Sequence, residues 1–181
     1  MAILATQIGI ATIFSIEFNM NPNAQKFIQL TKHPVKFRMF LFYQLPSAYF
    51  SGLKVKEISE ERAVVTVPYK WFSKNPFNST YFACLAMAAE MSTGLLAMMH
   101  IYKRKPAISM LITKMEANYF KKAIDKTIFL CQEGEQIQDI IEESILTGEP
   151  KSISIKSTGK NKNGEVIAEF LFTWSFKVKH A

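Results

Sequence analysis

Residues 75–99 read NPFNSTYFACLAMAAEMSTGLLAMM, a run with one acidic and no basic side chain. A helix that is apolar around its whole circumference is buried on most sides, so we predict a long central helix over residues 79–99. Small residues, spaced three or four positions apart for the most part, form one stripe of this helix: Ser79, Ala83, Ala86, Thr93, Gly94 and Ala97. Such a stripe permits close backbone approach, and we expect a curved sheet to pack against it.

Glu90 lies in the same stripe and is the only acidic or basic residue between Lys74 and His100. An unpaired carboxylate is costly to bury, so this one should be paired, hydrogen-bonded or raised in pKa. A perturbed carboxylate in a cleft indicates a functional group, whereas one that is satisfied by an Arg or by backbone amides, or that reaches solvent, would be structural. Both interpretations stay open from the residues alone. An acidic residue in mid-helix also argues against a membrane span.

The rest of the chain predicts a sheet around this helix. Residues 21–45 favour two helices that break at Pro34, with Asn21 as the first N-cap and Pro46 as the end of the second. Strands are predicted at 52–58, 62–68, 108–119, 126–132, 151–157 and 165–179, with a short amphipathic helix at 135–146. The last strand is apolar at every second position from Val166 to Val178. That alternation indicates an antiparallel sheet with one buried face, so the fold class is α+β.

Length and charge limit the organisation and the partners. The 181 residues are enough for one domain, assigned to 21–181. Residues 1–20 are interpreted as an N-terminal extension, loosely attached or created by an upstream start codon; a signal sequence is disfavoured because no basic residue precedes the apolar run. The net charge of +7 suggests an anionic partner such as coenzyme A. Nucleic acid is not expected, because no recognition motif accompanies the lysines.

The scarcity of certain residue types excludes several functions. The 7 glycines form no phosphate-binding loop, and the 2 cysteines and 3 histidines have no metal-site spacing. We therefore expect no metal, no cofactor and no disulfide framework, which favours a cytoplasmic location. Cys84 is predicted to be a core residue. His100 is expected to act as a cation at the C-terminal end of the long helix.

The element order resembles the hotdog fold, in which a curved antiparallel sheet wraps a long helix. Residues 52–94 read GLKVKEISEERAVVTVPYKWFSKNPFNSTYFACLAMAAEMSTG, and residues 108–123 read ISMLITKMEANYFKKA. These stretches resemble hotdog acyl-CoA thioesterases of the phenylacetyl-CoA thioesterase-like branch, and most closely an uncharacterised bacterial group within it. The resemblance extends over about residues 21–179 and implies an acyl-CoA substrate and a homodimer, or a tetramer built from such dimers.

The resemblance also implies roles for individual residues. In that branch an Asn follows the second strand, His-Gly-Gly opens the helix, and an Asp or Glu lies two turns further on; Asn75, Tyr81-Phe82 and Glu90 occupy these positions. Glu90 would act as general base or nucleophile, and Asn75 would hold the water or the carbonyl oxygen. The Phe82 amide would stabilise the oxyanion. A Ser or Thr often found near the thioester corresponds to Ser109, which would assist by hydrogen bonding.

The resemblance also implies substrate contacts, and this chain lacks the two glycines that open the helix in that branch. Tyr81 is expected to contact substrate, and Lys121 and Lys122 to hold coenzyme A phosphates. The side chain of Phe82 narrows the approach that a glycine leaves open. The chain is therefore predicted to hydrolyse acyl-CoA thioesters or, alternatively, to bind acyl-CoA or acyl chains without catalysis. A hydratase is disfavoured, because Lys74-Asn75-Pro76 supplies no His.

Overall fold

The computed structural model describes residues 21–179, and the extension assigned to residues 1–20 lies outside this range. The helices are α1 (Ala24–Lys32), α2 (Pro34–Gln44), α3 (Pro46–Ser51), α4 (Phe82–Ile101) and α5 (Gly134–Thr147). The strands are β1 (Lys54–Ile58), β2 (Ala63–Val67), β3 (Ile108–Tyr119), β4 (Thr127–Cys131), β5 (Lys151–Lys160) and β6 (Val166–Val178). The α+β class is confirmed.

Among residues 21–179, six strands form one antiparallel sheet in the order β1-β2-β4-β5-β6-β3, so β1 and β3 are its edges in this part of the chain. The side chains of Phe170, Phe172, Trp174 and Phe176 in β6 are all buried, as the alternation predicted. Helix α4 packs against β2, β4, β5 and β6. The long helix is therefore the core around which the sheet is arranged.

Two buried hydrogen bonds fix α4 against the sheet. The Ser92 and Ser157 hydroxyls are 2.7 Å apart, and the Trp174 indole Nε1 donates to Thr93 Oγ1 at 3.0 Å. All four side chains are almost fully buried. Because a buried polar group without a partner is costly, these pairs set the rotation of α4 on the sheet.

Helix α4 is also long and apolar enough to cross a membrane by length and composition alone, with a mean hydropathy of 1.5 over its most apolar window. In the fold, 67% of that window is buried inside the domain. The core helix of an enclosed sheet passes the same test, and this is the position that α4 occupies.

Several element boundaries differ from the sequence predictions, and the main differences are in α3, α4 and β5. Pro46 does not end the helical region: it is the first residue of α3, where its missing N–H costs nothing. Helix α4 begins at Phe82 rather than Ser79, because Thr80 forms an antiparallel bridge with Lys74 and the backbone of Tyr81 is extended. Strand β5 continues beyond residue 157 to Lys160.

The C-terminal end of α4 is capped differently from the expectation. Asn21 does not cap α1; its Nδ2 donates to the Met99 carbonyl at 3.0 Å and to the Tyr102 carbonyl at 2.8 Å. His100 is fully buried, and burial together with the nearby Arg104 charge lowers its pKa to about 4. The imidazole is therefore neutral at pH 7, and its predicted role as a cation is wrong. An uncharged amide supplies the cap instead.

Candidate functional site

The loop before α4 is organised by the side chain of Asn75. Its Oδ1 accepts hydrogen bonds from the Phe77 amide at 2.9 Å and the Ser79 amide at 3.2 Å, and its Nδ2 lies 3.1 Å from Ser79 Oγ. The backbone is paired as well, since the Asn75 amide donates to the Ser79 carbonyl at 2.8 Å. Asn75 therefore closes a tight loop that delivers the chain to the N-terminus of α4.

The first turn of α4 presents backbone donors. Phe82 is the first helical residue after Tyr81, and no side chain of the described residues caps this end. Within residues 21–179, no hydrogen bond is donated by the amides of Phe82 or Ala83. Unpaired amides at a helix N-terminus, supported by the helix dipole, favour a negatively charged oxygen.

An aromatic cavity of about 790 Å³ opens in front of these amides. The structure brings five predicted site residues to its wall: Asn75, Tyr81, Phe82, Lys121 and Lys122. The Tyr81 and Phe82 rings make an edge contact with centroids 4.9 Å apart, and both remain about half exposed. Phe77, Tyr119 and Phe120 line the same cavity and were not predicted. Tyr119 and Phe120 lie at the end of β3, and nothing in the sequence marked them as cavity residues.

The two lysines of the cavity differ in their pairing. Lys121 forms an ion pair with Glu165. This contact and a hydrogen bond from Asn161 lower the pKa of the Glu165 carboxyl below its usual value. Lys122 is exposed and makes no ion pair within the described part of the chain. Of the pair, Lys122 is the lysine available to an incoming anion.

Glu90 lies in a different cavity. This cavity, of about 270 Å³, lies beneath the α2–α3 connection and is also lined by Leu45, Pro46 and Met91. A narrower extension continues between Phe37, Phe40, Gly94, Met98 and Met110. Burial among these apolar groups raises the pKa of Glu90 to about 7, with no charged neighbour contributing. The carboxyl is thus divided between its two protonation states near neutral pH.

Within one chain, the predicted residues therefore occupy three places. Asn75, Tyr81, Phe82 and the two lysines share the aromatic cavity, and Glu90 has its own. Ser109 lies near the start of β3, and its Oγ donates to the Lys177 carbonyl at 3.1 Å. None of the cavities around Asn75 or Glu90 includes Ser109.

The remaining candidate ligands and nucleophiles are buried. Cys84 and Cys131 are both free and buried, and burial raises the pKa of Cys131 to about 12, so its thiol stays protonated. Among residues 21–179, no group of three or more His, Cys, Asp or Glu side chains is placed to hold a metal ion.

The fold defines the class of protein to which this chain belongs. The structure resembles three solved hotdog proteins whose sequence identity of 8–18% shows the fold alone. The Pseudomonas aeruginosa protein PA5026, a probable thioesterase of unknown function, is 18% identical with a TM-score of 0.69, over 81% of this chain and 97% of that one. The Haemophilus influenzae thioesterase HI1161 is 11% identical with a TM-score of 0.60, over 80% and 90% of the chains.

A second Pseudomonas aeruginosa thioesterase, PA1618, is 8% identical with a TM-score of 0.61, over 80% of this chain and 94% of that one. The chain thus has the hotdog fold, as the resemblance implied. It belongs to the family described as a domain of unknown function, DUF4442, which matches residues 36–176. No curated protein matches the sequence.

Proposed function

We propose that this protein hydrolyses acyl-CoA thioesters to the free acid and coenzyme A, with each active site built by two copies of the chain. The observation that carries the proposal is Glu90, a partly buried carboxyl on the core helix that lines an apolar cavity and whose pKa is raised to about 7. A general base works best when its pKa lies near the working pH. The thioesterase names of the hotdog neighbours agree with this reaction class.

The edge strand β3 supports the two-copy arrangement. It is 12 residues long and carries Leu111, Met115 and Tyr119, each about half exposed or more. An open edge of this length needs a partner or protection. In a two-fold antiparallel pairing of β3 with itself, the start of the strand in one copy lies beside its end in the other.

That pairing would bring the Glu90 cavity of one copy next to the cavity of Asn75 and Phe82 in the other. Met110, near the start of β3, lines the Glu90 cavity, whereas Tyr119, at its end, lines the cavity of Asn75 and Phe82. Glu90 of one copy would therefore approach the helix N-terminus of the other. A homodimer supplies what a single chain lacks, because the carboxyl and the free amides lie in separate cavities of one chain.

The chemistry then follows from the groups present. The Glu90 carboxylate accepts a proton from water as the water oxygen bonds to the thioester carbonyl carbon. The resulting oxyanion accepts a hydrogen bond from the Phe82 amide of the other copy. As the tetrahedral intermediate collapses, the carbon–sulfur bond breaks and the coenzyme A thiolate takes the proton from Glu90. Lys122 would attract the anionic end of the substrate. The two free cysteines are consistent with action in a reducing compartment such as the cytoplasm.

A second function, binding of acyl-CoA without turnover, is favoured by one observation. Tyr81 and Phe82 place aromatic side chains at the helix N-terminus, where they narrow access to the amides. A panel of acyl-CoAs assayed for free thiol separates the two functions. Turnover supports the hydrolase, whereas saturable binding without turnover on any acyl-CoA would replace it with the binding protein.

Substitutions at Phe82 test the oxyanion donor. Proline is tolerated at the first helical position, so Phe82→Pro removes the amide proton while preserving α4. Loss of one such donor costs about 100- to 1,000-fold in turnover. Phe82→Ala is the matched control, since it keeps the N–H, opens the approach and should retain activity. Equal loss of activity in both variants would remove the Phe82 amide from the mechanism.

Mixed dimers test the shared site. Phe82→Pro and Glu90→Gln chains are each expected to be inactive, but if a site takes Phe82 from one copy and Glu90 from the other, every mixed dimer has one intact site. Refolding an equimolar mixture should then restore about a quarter of wild-type activity, because half of the dimers are mixed and each has one of two sites intact. If both residues of a site come from the same chain, the mixture stays inactive.

A further inference from the structure

A further cleft adjoins the Glu90 cavity, and Phe37 of α2 lines both. It has a volume of about 490 Å³ and runs between α1, α2 and the edge strand β1. Its floor is apolar and is formed by Phe37, Leu41, Leu53 and Ile58, all of which are buried. A cleft of this size with an apolar floor is typical of a small-molecule site.

The rim of this cleft is cationic. Lys32, Arg38, Lys54 and Lys56 line it, and none of the four makes an ion pair among residues 21–179. Glu57 is the only carboxylate that the described residues contribute to the lining, and it accepts a hydrogen bond from Arg62 Nε at 2.7 Å. Its charge is therefore already compensated, and the cleft offers four uncompensated positive charges.

Arg38 lies between this cleft and a neighbouring cavity that contains Tyr49. Its guanidinium carbon lies 4.0 Å from the centroid of the Tyr49 ring, which restrains the side chain through a cation–π contact. Its Nη1 is buried and has no hydrogen-bond acceptor in the described residues. A buried donor without a partner is uncommon, so the Arg38 guanidinium retains hydrogen-bonding capacity that the described residues do not use.

The strand that carries two of the lysines is irregular at this point. The pairing of β1 with β2 passes from Val55–Val65 to Glu57–Val64, so Lys56 is an extra residue in a β-bulge. Bulges re-aim side chains and occur often at sheet edges and beside functional sites. Lysine on an edge strand also discourages edge pairing, but that role would not require a cleft with an apolar floor.

We propose that this cleft binds an organic phosphate with an apolar body: the phosphate at Arg38, Lys54 and Lys56, and the body on Phe37, Leu41 and Leu53. A guanidinium fork and ammonium groups are the usual partners of phosphate. This chemistry is shared by the nucleotide end of coenzyme A and by lipid phosphates. The site shares Phe37 with the wall of the Glu90 cavity, but none of its charged residues takes part in the proposed thioester hydrolysis.

Calorimetric titration of the full chain with hexyl phosphate tests the site. The expected result is saturable binding that 1-hexanol does not reproduce and that weakens about tenfold or more in Lys54→Ser/Lys56→Ser, because two charge-assisted contacts are lost. Lys160→Ser/Lys162→Ser removes the same charge from the β5–β6 turn and should leave the affinity within about twofold. Arg38→Lys keeps the charge but loses the fork, so it should weaken binding even if the double variant fails to fold.

Each remaining outcome decides the proposal. No saturable binding to the wild-type chain, equal affinity for hexyl phosphate and hexanol, or equal loss in the two double variants would overturn it. Adenosine bisphosphate and lysophosphatidic acid then distinguish the sources: tighter binding of the first supports the nucleotide end of coenzyme A, and tighter binding of the second supports a lipid phosphate. Thioester hydrolysis is assayed on the same variants, so failure of one proposal is visible separately from failure of the other.

Discussion

The Glu90 carboxylate lies directly against Gly94, one helical turn further along α4: a Cβ atom built on Gly94 would lie 3.0 Å from Glu90 Oε1. The same Cβ would lie 3.5 Å from the ring of Trp174. A side chain at this position would therefore be confined between the sheet and the carboxylate. The glycine provides the space in which the carboxylate lies against its own helix.

Gly94→Ala tests this relationship. Alanine stabilises a helix interior by about 1 kcal/mol relative to glycine, so the melting temperature should stay equal or rise. The Glu90 carboxylate must move by a few tenths of an ångström, and we expect turnover to fall about tenfold or more, since small misplacements of catalytic groups are costly. Thermal melts and thiol-release assays on the purified variant measure both effects. In a protein that already carries Glu90→Gln, Gly94→Ala should change turnover little. If Gly94→Ala lowers turnover by the same factor with and without Glu90→Gln, the two residues are not coupled.

Turnover should depend on pH through the Glu90 carboxyl. The pKa of this group is raised from 4.5 to about 7, and a general base must be ionised. The rate with subsaturating substrate is therefore expected to rise about tenfold per pH unit below pH 7 and to level off above it. Steady-state rates measured from about pH 5 to pH 9 check this. A profile that is flat across this range would exclude Glu90 as the base.

Stability should show the opposite dependence on pH. Because burial raises the Glu90 pKa in the folded chain, the native state holds this proton more tightly than the unfolded state does between pH 4.5 and about 7. The free energy of unfolding therefore falls as pH rises through this window, by about 3 kcal/mol at most from this group. Glu90→Gln should match the wild type near the acidic end and exceed it in stability above pH 7. Urea denaturation at several pH values measures the difference, and parallel curves for the two proteins would contradict the raised pKa.

The ion pair of Arg104 with Glu142 should be sensitive to removal of one partner. The two contacts measure 2.5 Å and 2.6 Å, and the side chains are only 12% and 8% exposed. Glu142→Gln leaves the buried guanidinium without its countercharge, at an expected cost of about 3–5 kcal/mol in unfolding free energy. Arg104→Met/Glu142→Leu removes both charges and should cost much less. Chemical denaturation of both variants tests this, and an equal cost would show that packing rather than charge holds α5 to the end of α4.

The Ser92–Ser157 contact predicts an asymmetry. Ser92 Oγ donates its only proton to the Ala89 carbonyl at 2.7 Å, so Ser157 must be the donor in the contact between the two hydroxyls. Ser157→Ala leaves Ser92 with its carbonyl partner, whereas Ser92→Ala leaves the buried Ser157 hydroxyl without any. We expect Ser92→Ala to cost about 1–3 kcal/mol and Ser157→Ala clearly less. If chemical denaturation shows that Ser92→Ala and Ser157→Ala lower the free energy of unfolding equally, the assigned direction of the hydrogen bond is wrong.

The elements that the sequence predicted well are those whose burial is periodic. Strand β6 was predicted from its alternation, and helix α4 from being apolar around its circumference. Each pattern results from how a single element packs into the core, and both predictions are confirmed. Helix α3 was not predicted, because Pro46 at the first position of a helix and a proline that ends one look alike in sequence. The unusual position of Glu90 was also visible, since a single carboxylate in an apolar helix needs no structure to be noticed.

The sequence by itself determined the α+β class, the central helix and the presence of one anomalous carboxyl, because these depend on residues that are neighbours along the chain. Only the tertiary structure decided that Glu90 and the Phe82 amide lie in separate cavities, that Arg104 meets Glu142, and that unpaired cations from α1, α2 and β1 line one cleft. These relationships join residues far apart in sequence. They depend on strand order and on how helices pack across the sheet, and periodicity within one element carries no information about either.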